Sequence, residues 1–488
     1  MNKLDLFTNK AKTIPLTKTK QLFLDDMIIS DMNDIRFEMH KPTKKGAVLT
    51  ADTGIGEVGI QSRNSPQWNS EKKLWEWHYW GLHNCKPYGR WQSTMIELSK
   101  YAISDDGITW QKPNLRLYEY NGSKNNNITM DPDLGNRSLY HCYLDENDTN
   151  PERRYKGMMG RSNRVLAFSP DGLNWTKIDC EPLTSSDESS LMYDPTSQQF
   201  LVILKRGTQW GRSMALMTSQ DFVEWEDHGI VMHADGDDWK GHWPRLEKVL
   251  SNPNYLHPPI VDEDQYYPET YNMVIHPYEG QYIGLVNIFD PAGAIPPPQM
   301  NYTALNQIGL ASSRNLKHWR RLGNREMFME ISPWDGKNYD TQQLLPCGAP
   351  IICDDEIRVY YGGLRFRGHK ELYPEKYHPY FNDMGAPSLA TLRLDGYVSI
   401  NADSDGYFIT KPFSLNSQNL CVNIDSKQGQ LIIELWDGES LEYLTESQPI
   451  SIDSVNHQVT WKSDINISKP IRFKFKLKHA KLYAFWQG

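Results

Sequence analysis

The sequence predicts an all-β protein, a five-bladed β-propeller followed by a C-terminal β-sandwich. Three observations lead to this class. A hairpin pattern recurs along the chain, no convincing stretch of 12 residues has the apolar spacing of a helix, and a segment near the C-terminus alternates apolar with basic residues.

The recurring hairpin has the order apolar strand, Ser, polar turn and Trp. A turn rich in Gly, Asn and Asp joins two strands, and the Trp is expected to pack across the hairpin. The spacing leaves room for two further strands in each unit, and four-stranded units repeated radially form a propeller. Four copies end at Trp110, Trp175, Trp225 and Trp319, and a degenerate fifth copy at 388–398 has Tyr in the Trp place.

The innermost strand of each blade is expected to precede its hairpin. The five inner strands are predicted near 59–68, 137–146, 189–195, 270–280 and 343–363. Residues 1–20 then form an N-terminal extension and residues 21–412 the propeller, which is the predicted catalytic domain.

The last segment, 415–488, is predicted to be the β-sandwich domain. Within it, 471–478 alternates Ile471, Phe473, Phe475 and Leu477 with Arg or Lys. A period of two is typical of an antiparallel sheet with one face in water. We expect this unit to pack on the propeller and to contribute stability, because no acidic cluster accompanies it.

The composition narrows the class of function. The chain has 488 residues, 39% of them hydrophobic, and a net charge of −9, which argues against a nucleic-acid partner. No apolar run reaches membrane-spanning length. The six cysteines show no zinc-like spacing and are predicted to be mostly free, and no metal or cofactor is predicted. The N-terminus has no apolar signal-peptide core, so we expect a cytoplasmic protein or one whose signal has been removed.

Several phrases occur in an order that resembles a known group. They are QLFLDDMII (21–29), SDDGITWQKPNLRLYEYNGSKNNNIT (104–129), FSPDGLNW (168–175) and LATLRLDGYVSI (389–400). The chain resembles bacterial proteins related to glycoside hydrolase families 32 and 43, from about residue 21 to its end. The resemblance implies a five-bladed propeller glycosidase with its general acid on the third blade. The WMNDPNG-type, RDP and EC motifs of the sucrose-cleaving members do not occur, so sucrose or fructan is not predicted as substrate.

Hydrolysis of a glycosidic bond uses two carboxyl groups, a proton donor and a base or nucleophile. In a propeller the starts of the inner strands converge on a central funnel. Acidic residues occupy four of these positions, as Glu57, the pair Asp187 and Glu188, Glu269, and Asp340. With the resemblance, Asp187 and Glu188 become the predicted proton donors, and Glu269 and Asp340 the base or nucleophile. At least two of the five should face one pocket, and one should have a raised pKa, because a general acid must stay protonated near neutral pH.

Basic, aromatic and polar residues near the same strand ends are predicted to bind substrate. As a set they would suit a polar sugar that bears sulfate or carboxylate, because Arg makes bidentate contacts to such groups. Three long segments, 227–268, 286–303 and 364–387, are expected to form the rim of the site. The predicted binding residues are Glu57, Arg63, Arg137, His141, Arg206, His242, Arg245, Tyr267 and Arg365.

The predicted function is that of an exo-acting glycoside hydrolase on an oligosaccharide or polysaccharide, with an anionic or anhydro sugar as one possibility. Two alternatives stay open: a non-catalytic carbohydrate-binding propeller, and a phosphorylase or lyase on the same fold. Two carboxylates about 5–10 Å apart would favour hydrolysis. A basic phosphate pocket beside a single carboxyl would favour phosphorolysis. A homo-oligomer is also left open.

Overall fold

The computed structural model describes residues 13–84, 95–132, 138–262, 267–297, 301–464 and 468–488. Nearly all regular structure in these ranges is β-strand, which confirms the predicted all-β class. The first five strands are β1 (Ile14–Pro15), β2 (Gln21–Leu22), β3 (Ile29–Asn33), β4 (Arg36–Met39) and β5 (Thr43–Ala47).

Three antiparallel sheets follow in chain order. In the first, β6 and β7 both pair with β8, which also pairs with β9. The second has the order β10-β11-β12-β13, with β14 also on β12, and the third has the order β15-β16-β17-β18. The strands are β6 (Glu57–Gln61), β7 (Gln67–Asn69), β8 (Leu74–Asn84), β9 (Met95–Ser104), β10 (Leu139–Leu144), β11 (Tyr155–Met159), β12 (Asn163–Ser169), β13 (Thr176–Lys177), β14 (Leu183–Thr184), β15 (Ser189–Asp194), β16 (Gln199–Thr208), β17 (Gly211–Ser219) and β18 (Glu226–Met232).

The next nine strands form one larger sheet together with β5. A single parallel pair, Asn306 with Gln343, joins its two halves, and β5 pairs with the outer side of β27. The order is β19-β20-β21-β24-β26-β27-β5, with β22 and β23 on β21 and β25 on β26. The strands are β19 (Glu269–Tyr278), β20 (Gln281–Ile295), β21 (Asn301–Ser313), β22 (Arg320–Arg321), β23 (Met327–Met329), β24 (Gln343–Pro346), β25 (Ile351–Cys353), β26 (Glu356–Leu364) and β27 (Gly385–Arg393).

The remaining strands form an eleven-stranded sheet with β1 to β4. Its central strand is β34, in which the predicted alternation holds, because Ile471, Phe473, Phe475 and Leu477 are buried. Strand β28 and the four N-terminal strands lie in this sheet, although they precede the predicted boundary at 412–415. The strands are β28 (Val398–Thr410), β29 (Phe413–Ser414), β30 (Leu420–Asp425), β31 (Gln430–Asp437), β32 (Tyr443–Glu446), β33 (Asp453–Gln458) and β34 (Ile471–Gln487).

The repeated hairpins have the same turn chemistry. In the first, Ser104 Oγ accepts from the backbone N–H of Gly107, and Asp106 Oδ1 accepts from the two N–H groups of residues 108 and 109. Such side-chain acceptors fix a turn without strand pairing. The structure therefore confirms that the four segments are equivalent. The matching acceptor pairs are Ser169 with Asp171, Ser219 with Asp221, and Ser313 with Asn315.

The tryptophans after the first, second and fourth turns pack on a neighbouring strand of their own sheet, and Trp225 packs against Phe222 of its own turn. A Cβ at Gly157 would overlap the ring of Trp175, and one at Gly284 would crowd the ring of Trp319. The first copy differs in its contact, since Trp110 packs against Trp77 with 5.0 Å between ring centroids. The Ser-to-Trp pattern thus reports a packing contact that recurs from sheet to sheet.

Hydrogen bonds connect successive strand groups. They link the first sheet to the second, the second to the third, the third to β19 of the ten-stranded sheet, β20 to β24 within that sheet, and the residue before β27 back to β6 of the first sheet. The bonds are Asn64 Nδ2 to Tyr140 O (3.2 Å), His141 Nε2 with Ser189 Oγ (2.7 Å), Ser190 Oγ to Met273 O (2.5 Å), Asn287 Nδ2 to Leu344 O (2.5 Å) and Met384 N to Val58 O (2.7 Å).

A 15-residue helix, α1 (Gly236–Leu250), lies within the segment 227–268. The expectation that no helix of this length occurs is wrong here. Two glycines and Pro244 hide the periodicity, and only four residues of the helix are buried. The helix begins at Asp235, whose carboxylate accepts from backbone N–H groups in a capping box with Asp238.

The other predicted rim segments also have structure of their own. Residues 286–303 fall largely within the β20–β21 hairpin, so that segment is not a loop in its described part. The segment 364–387 contains 3₁₀ turns at Lys370–Leu372 and Glu375–Asn382. Five of the six cysteines are free thiols, as predicted, and Cys85 lies outside the described residues.

The eleven-stranded sheet packs on the ten-stranded one. The largest apolar core contains Cys421 and Trp486 together with residues of β19 to β27. At the polar edge of this contact, Arg393 donates to Asn423 Oδ1 at 2.8 Å and pairs with Asp453. The prediction that the C-terminal strands pack on the rest of the protein is confirmed.

Removal of residues 415–488 is expected to destabilise the whole protein. It would delete β30 to β34 and expose buried side chains of β28, among them Ile400 and Phe408. We expect a lower soluble yield. We also expect calorimetry to show no cooperative unfolding transition at a temperature near that of the full chain. A truncated protein that melts at the same temperature as the full chain would contradict this expectation.

Candidate functional site

Three of the five predicted acids lie in one cluster at the starts of β15 and β19. The connection runs through Lys205, whose Nζ is 3.1 Å from Asp187 Oδ2 and 3.7 Å from the centroid of the Tyr271 ring. Glu188 follows Asp187 directly, and Glu269 precedes Tyr271 by two residues on β19. We call this group the funnel cluster, and it contains Arg63, Arg161, Arg164, Asp187, Glu188, Lys205, Arg212, Glu269, Tyr271, Phe289 and Arg367.

Glu188 is engaged on both oxygens by Arg63. The guanidinium donates from Nε to Oε2 at 2.5 Å and from Nη2 to Oε1 at 2.6 Å, and both side chains are only 5% exposed. Burial lowers the pKa of Arg63, but the charge and hydrogen bonds of Glu188 outweigh it and raise that pKa above its ordinary value. Because both carboxylate oxygens are occupied, Glu188 is poorly placed to protonate a leaving group.

Asp187 is the more open carboxylate, with 35% of its side chain exposed. Burial raises its pKa, but the positive charges of Lys205 and Arg161 and the hydrogen bond from Lys205 outweigh burial and hold the pKa below its ordinary value. Asp187 is therefore not the acid with a raised pKa that is expected among the five. Its backbone has φ of 110°, an unusual value for a residue with a side chain and a feature that concentrates at functional sites.

Glu269 is the first residue of β19. It forms an ion pair with Arg212 and accepts from the backbone N–H of that residue at 3.2 Å. The preceding residue, Gly211, has φ of 76°, and a Cβ there would collide with Glu269 Oε1. Glycine at 211 is thus needed for the close approach of the carboxylate to the β16–β17 turn.

His141 supports the same cluster from the second sheet. Its Nδ1 lies 3.1 Å from the carbonyl oxygen of Arg63, and its Nε2 lies 2.7 Å from Ser189 Oγ. Burial lowers the pKa of this imidazole well below its ordinary value, and the charge of Arg164 lowers it further. His141 is therefore a neutral positioning residue that helps to fix Arg63.

The cluster also contains cations that the sequence analysis missed. Arg161 donates to Tyr140 Oη at 2.7 Å, and Arg164 lies over the same ring with its Cζ 4.1 Å from the centroid. Lys205, Arg212 and Arg367 surround Tyr271 and Phe289. Two of these cations lie close in sequence to residues that the sequence analysis did single out. Lys205 directly precedes Arg206, and Arg367 follows Arg365 by two residues.

The two remaining acids lie outside the funnel cluster. Glu57 pairs with Lys100 at 2.8 Å and Lys112 at 3.2 Å. Burial raises its pKa, but these two ammonium groups outweigh burial and hold the pKa below its ordinary value. Asp340 pairs with Lys44 of β5 at 2.5 Å and accepts from Tyr361 Oη at 3.2 Å. Both carboxylates connect strands within their own sheet.

The other predicted binding residues have separate partners. Arg206 pairs with Asp227 at an exposed position. His242 and Arg245 of α1 both contact Asp290, at 2.9 and 2.6 Å. Arg365 donates to backbone carbonyls of residues 336–338 and 383 and lies over Tyr339. Tyr267 is exposed and packs on Trp239, and Arg137 lies outside the described residues.

The described residues contain no group of three or more His, Cys, Asp and Glu side chains placed to hold a metal ion. No helix in the same ranges is long and apolar enough to span a membrane.

Comparisons with known proteins give low similarity. No family model matches the chain, and no curated protein matches it. Among solved structures, the chain is similar to a GH32 beta-fructofuranosidase from Bombyx mori, with 11% identity and a TM-score of 0.40 over 92% of this chain and 93% of that one. It is also similar to the catalytic domain of a GH62 alpha-L-arabinofuranosidase from Coprinopsis cinerea, with 13% identity and a TM-score of 0.41 over 72% and 97%. A further match is an N-acetylgalactosamine deacetylase from F. plautii, with 11% identity and a TM-score of 0.39 over 74% and 96%.

Proposed function

We propose that residues from about 40 to 397 form the five blades of a propeller and that the eleven-stranded sheet forms the β-sandwich. The support is the series of hydrogen bonds between successive strand groups, which passes through five groups, with the two halves of the ten-stranded sheet counted separately, and returns to the first. The pairing of β5 with β27 adds support, because an N-terminal strand that completes the last blade closes a propeller.

We further propose that the protein is a glycoside hydrolase whose site is the funnel cluster. The observation that carries this proposal is the presence of two partly exposed carboxylates, Asp187 and Glu269, whose cationic partners Lys205 and Arg212 both lie near the Tyr271 ring. Two carboxyl groups that flank a sugar are the minimal equipment for cleavage of a glycosidic bond.

The environments of these carboxylates suggest different roles. Asp187 stays ionised at neutral pH, because its pKa lies below its ordinary value, and it suits a base or nucleophile at the anomeric carbon. Glu269 then takes the role of proton donor to the leaving oxygen. Both Glu188 and Glu269 are paired with an arginine, but the side chain of Glu269 is 21% exposed, whereas that of Glu188 is 5% exposed. In the net reaction water adds across the bond: its oxygen ends on the anomeric carbon, and the departing oxygen gains a proton. The choice between retention and inversion stays open.

Exposed aromatic side chains near Glu269 support a saccharide ligand. Trp210 stacks on His233 with 4.2 Å between centroids and an interplanar angle of 7°. Trp239 packs on Tyr267 at 4.6 Å, and Tyr267 lies two residues before Glu269. Aromatic faces with polar edges suit ligands that have one apolar and several polar surfaces, as sugars do. We propose that these aromatic side chains contact sugar units beyond the one at the carboxylates.

A second candidate function is binding of saccharide without cleavage. The observation in its favour is that all five predicted acids are in ion pairs, with Lys100, Lys205, Arg63, Arg212 and Lys44 among their partners. A carboxylate held in this way needs a partner to move, or the substrate to displace it, before it can transfer a proton.

The two functions are separated by a screen of aryl glycosides and of algal and plant oligosaccharides. We expect release of aryl alcohol or reducing sugar from at least one compound. The rate should fall when carboxylates of the funnel cluster are replaced. The same compounds are titrated calorimetrically. A saccharide that binds at micromolar concentration and stays intact over long incubation would reject hydrolysis and favour the binding function.

A further inference from the structure

Two guanidinium groups of the funnel cluster, Arg164 and Arg367, have no carboxylate within ion-pair distance among the described residues. Arg164 donates instead to Ser189 Oγ and to three backbone carbonyls, so Arg367 has the weaker set of partners. Arg367 contacts Gln343 Oε1, Asn301 Oδ1 and the carbonyl oxygen of Tyr302, each at 3.3 Å. Among the described residues no carboxylate lies within ion-pair distance of it, although only 9% of the residue is exposed. A buried charge without a counter-charge is costly, and hydrogen bonds of this length lie at the weak end of the range.

Arg367 lies beside a second guanidinium on the same aromatic ring. The Cζ atoms of Arg212 and Arg367 are 4.8 and 5.1 Å from the centroid of Phe289. Both also lie within 6 Å of the Tyr271 ring, which Lys205 approaches to 3.7 Å. The aromatic faces partly compensate these charges. The three protein acceptors use three of the five N–H groups of the Arg367 guanidinium, which leaves two to donate to a ligand.

The charge of the cluster is opposite to that of the whole chain. Its six cations are Arg63, Arg161, Arg164, Lys205, Arg212 and Arg367, and the acids that pair with them are Glu97, Asp187, Glu188 and Glu269. The chain as a whole has a net charge of −9. A local excess of positive charge at the funnel favours an anionic ligand.

We propose that Arg212 and Arg367 form an anion subsite of the funnel that binds an oxyanion group. The planar guanidinium fork matches the oxygens of a sulfate, carboxylate or phosphate. The oxyanion is either a substituent on the saccharide or free inorganic phosphate. This inference rests on the proposed function, because it takes the occupant to be the substrate or a co-substrate of the same site.

The first test uses inorganic sulfate and inorganic phosphate as probes with the full-length protein. Low-millimolar titration, with chloride at equal ionic strength as reference, is followed by calorimetry in the wild type, Arg367→Met and Arg206→Gln. Arg206 is the matched control, because it is a guanidinium paired with Asp227 outside the cluster. We expect saturable binding in the wild type and in the control, and at least a tenfold loss of affinity in Arg367→Met. Equal binding in all three proteins, or none in the wild type, would overturn the subsite.

The second test needs only the wild type and is therefore independent of the folding of any variant. Oligogalacturonides and sulfated galactans are compared with their methyl-esterified and desulfated counterparts. Tighter binding of an anionic form by at least tenfold assigns the oxyanion to the saccharide. Equal affinity for every pair, together with bond cleavage that requires phosphate and yields a sugar phosphate, assigns it to free phosphate. Equal affinity for every pair with no effect of phosphate would overturn the proposal.

Failure of this inference and failure of the proposed function give different results. Cleavage of a neutral saccharide with no effect of anions would reject the subsite and leave hydrolysis standing. A preference for anionic saccharides that Arg367→Met abolishes, without any cleavage, would support the subsite and reject hydrolysis.

Discussion

Asp187→Asn is expected to lower turnover of a cleaved substrate by roughly two to four orders of magnitude while the fold is kept. The substitution removes the ionised carboxylate that faces Lys205 and Arg161 and keeps its size. The side chain of Asp187 is one-third exposed, so we expect the variant to stay folded, with a loss of stability because the buried ammonium group of Lys205 loses its charged partner. The measurement is kcat under saturating substrate, with thermal unfolding in parallel.

The matched control is Asp227→Asn. Asp227 is also an aspartate paired with an arginine, Arg206, but it lies outside the funnel cluster. We expect the control to keep the wild-type rate. If Asp187→Asn also kept that rate, Asp187 would have no part in the chemistry, even in a protein that hydrolyses glycosides.

Glu188→Gln is expected to act mainly on stability. The carboxylate and the guanidinium of Arg63 are both buried, and removal of one charge from such a pair leaves the other uncompensated, at a cost of about 3–5 kcal/mol. We expect the midpoint of guanidinium chloride unfolding to fall accordingly. In the double variant Arg63→Met with Glu188→Leu, much of this loss should be recovered, because no buried charge is left unpaired.

An unchanged unfolding midpoint in Glu188→Gln would contradict the structural role of this pair. A second result would also contradict it: a stable Glu188→Gln protein with greatly reduced turnover would return Glu188 to the role of proton donor.

The starts of the strands predicted to be innermost could be located from the sequence because the Ser-to-Trp hairpin recurs with local turn chemistry. The same local signals placed Asp187, Glu188 and Glu269 at strand starts, where the structure brings them together. They could not separate these from Glu57 and Asp340, which occupy similar positions but pair with lysines that lie outside the funnel cluster. That difference depends on contacts between distant segments, such as Lys44 with Asp340.

The cations of the site show a second limit, which comes from the two-residue period of a strand. Adjacent side chains point to opposite faces, so a choice that is wrong by one residue selects the wrong face. Arg206 points to exposed Asp227, whereas its neighbour Lys205 contacts Asp187. Arg365 and Arg367 follow Leu364, the last residue of β26, so the alternation of a strand no longer applies to them. Arg365 donates to backbone carbonyls, whereas Arg367 donates to Gln343 Oε1, and the sequence does not reveal this difference.

The helix α1 was missed for a related reason. Its buried side is narrow and includes Asp238 and His242, which a pattern based on apolar residues does not count. Those two residues instead make polar contacts with Arg321 and Asp290.

Cleavage of a glycosidic bond at the funnel cluster is best followed by proton NMR of the anomeric region during incubation with an oligosaccharide that binds. We expect new reducing-end signals with the wild-type protein, one anomer first, and a rate at least a hundredfold lower with Asp187→Asn. The anomer that appears first would also decide between retention and inversion. If signals of the bound saccharide shift or broaden while no new anomeric signal appears, the funnel cluster binds the saccharide without cleaving it.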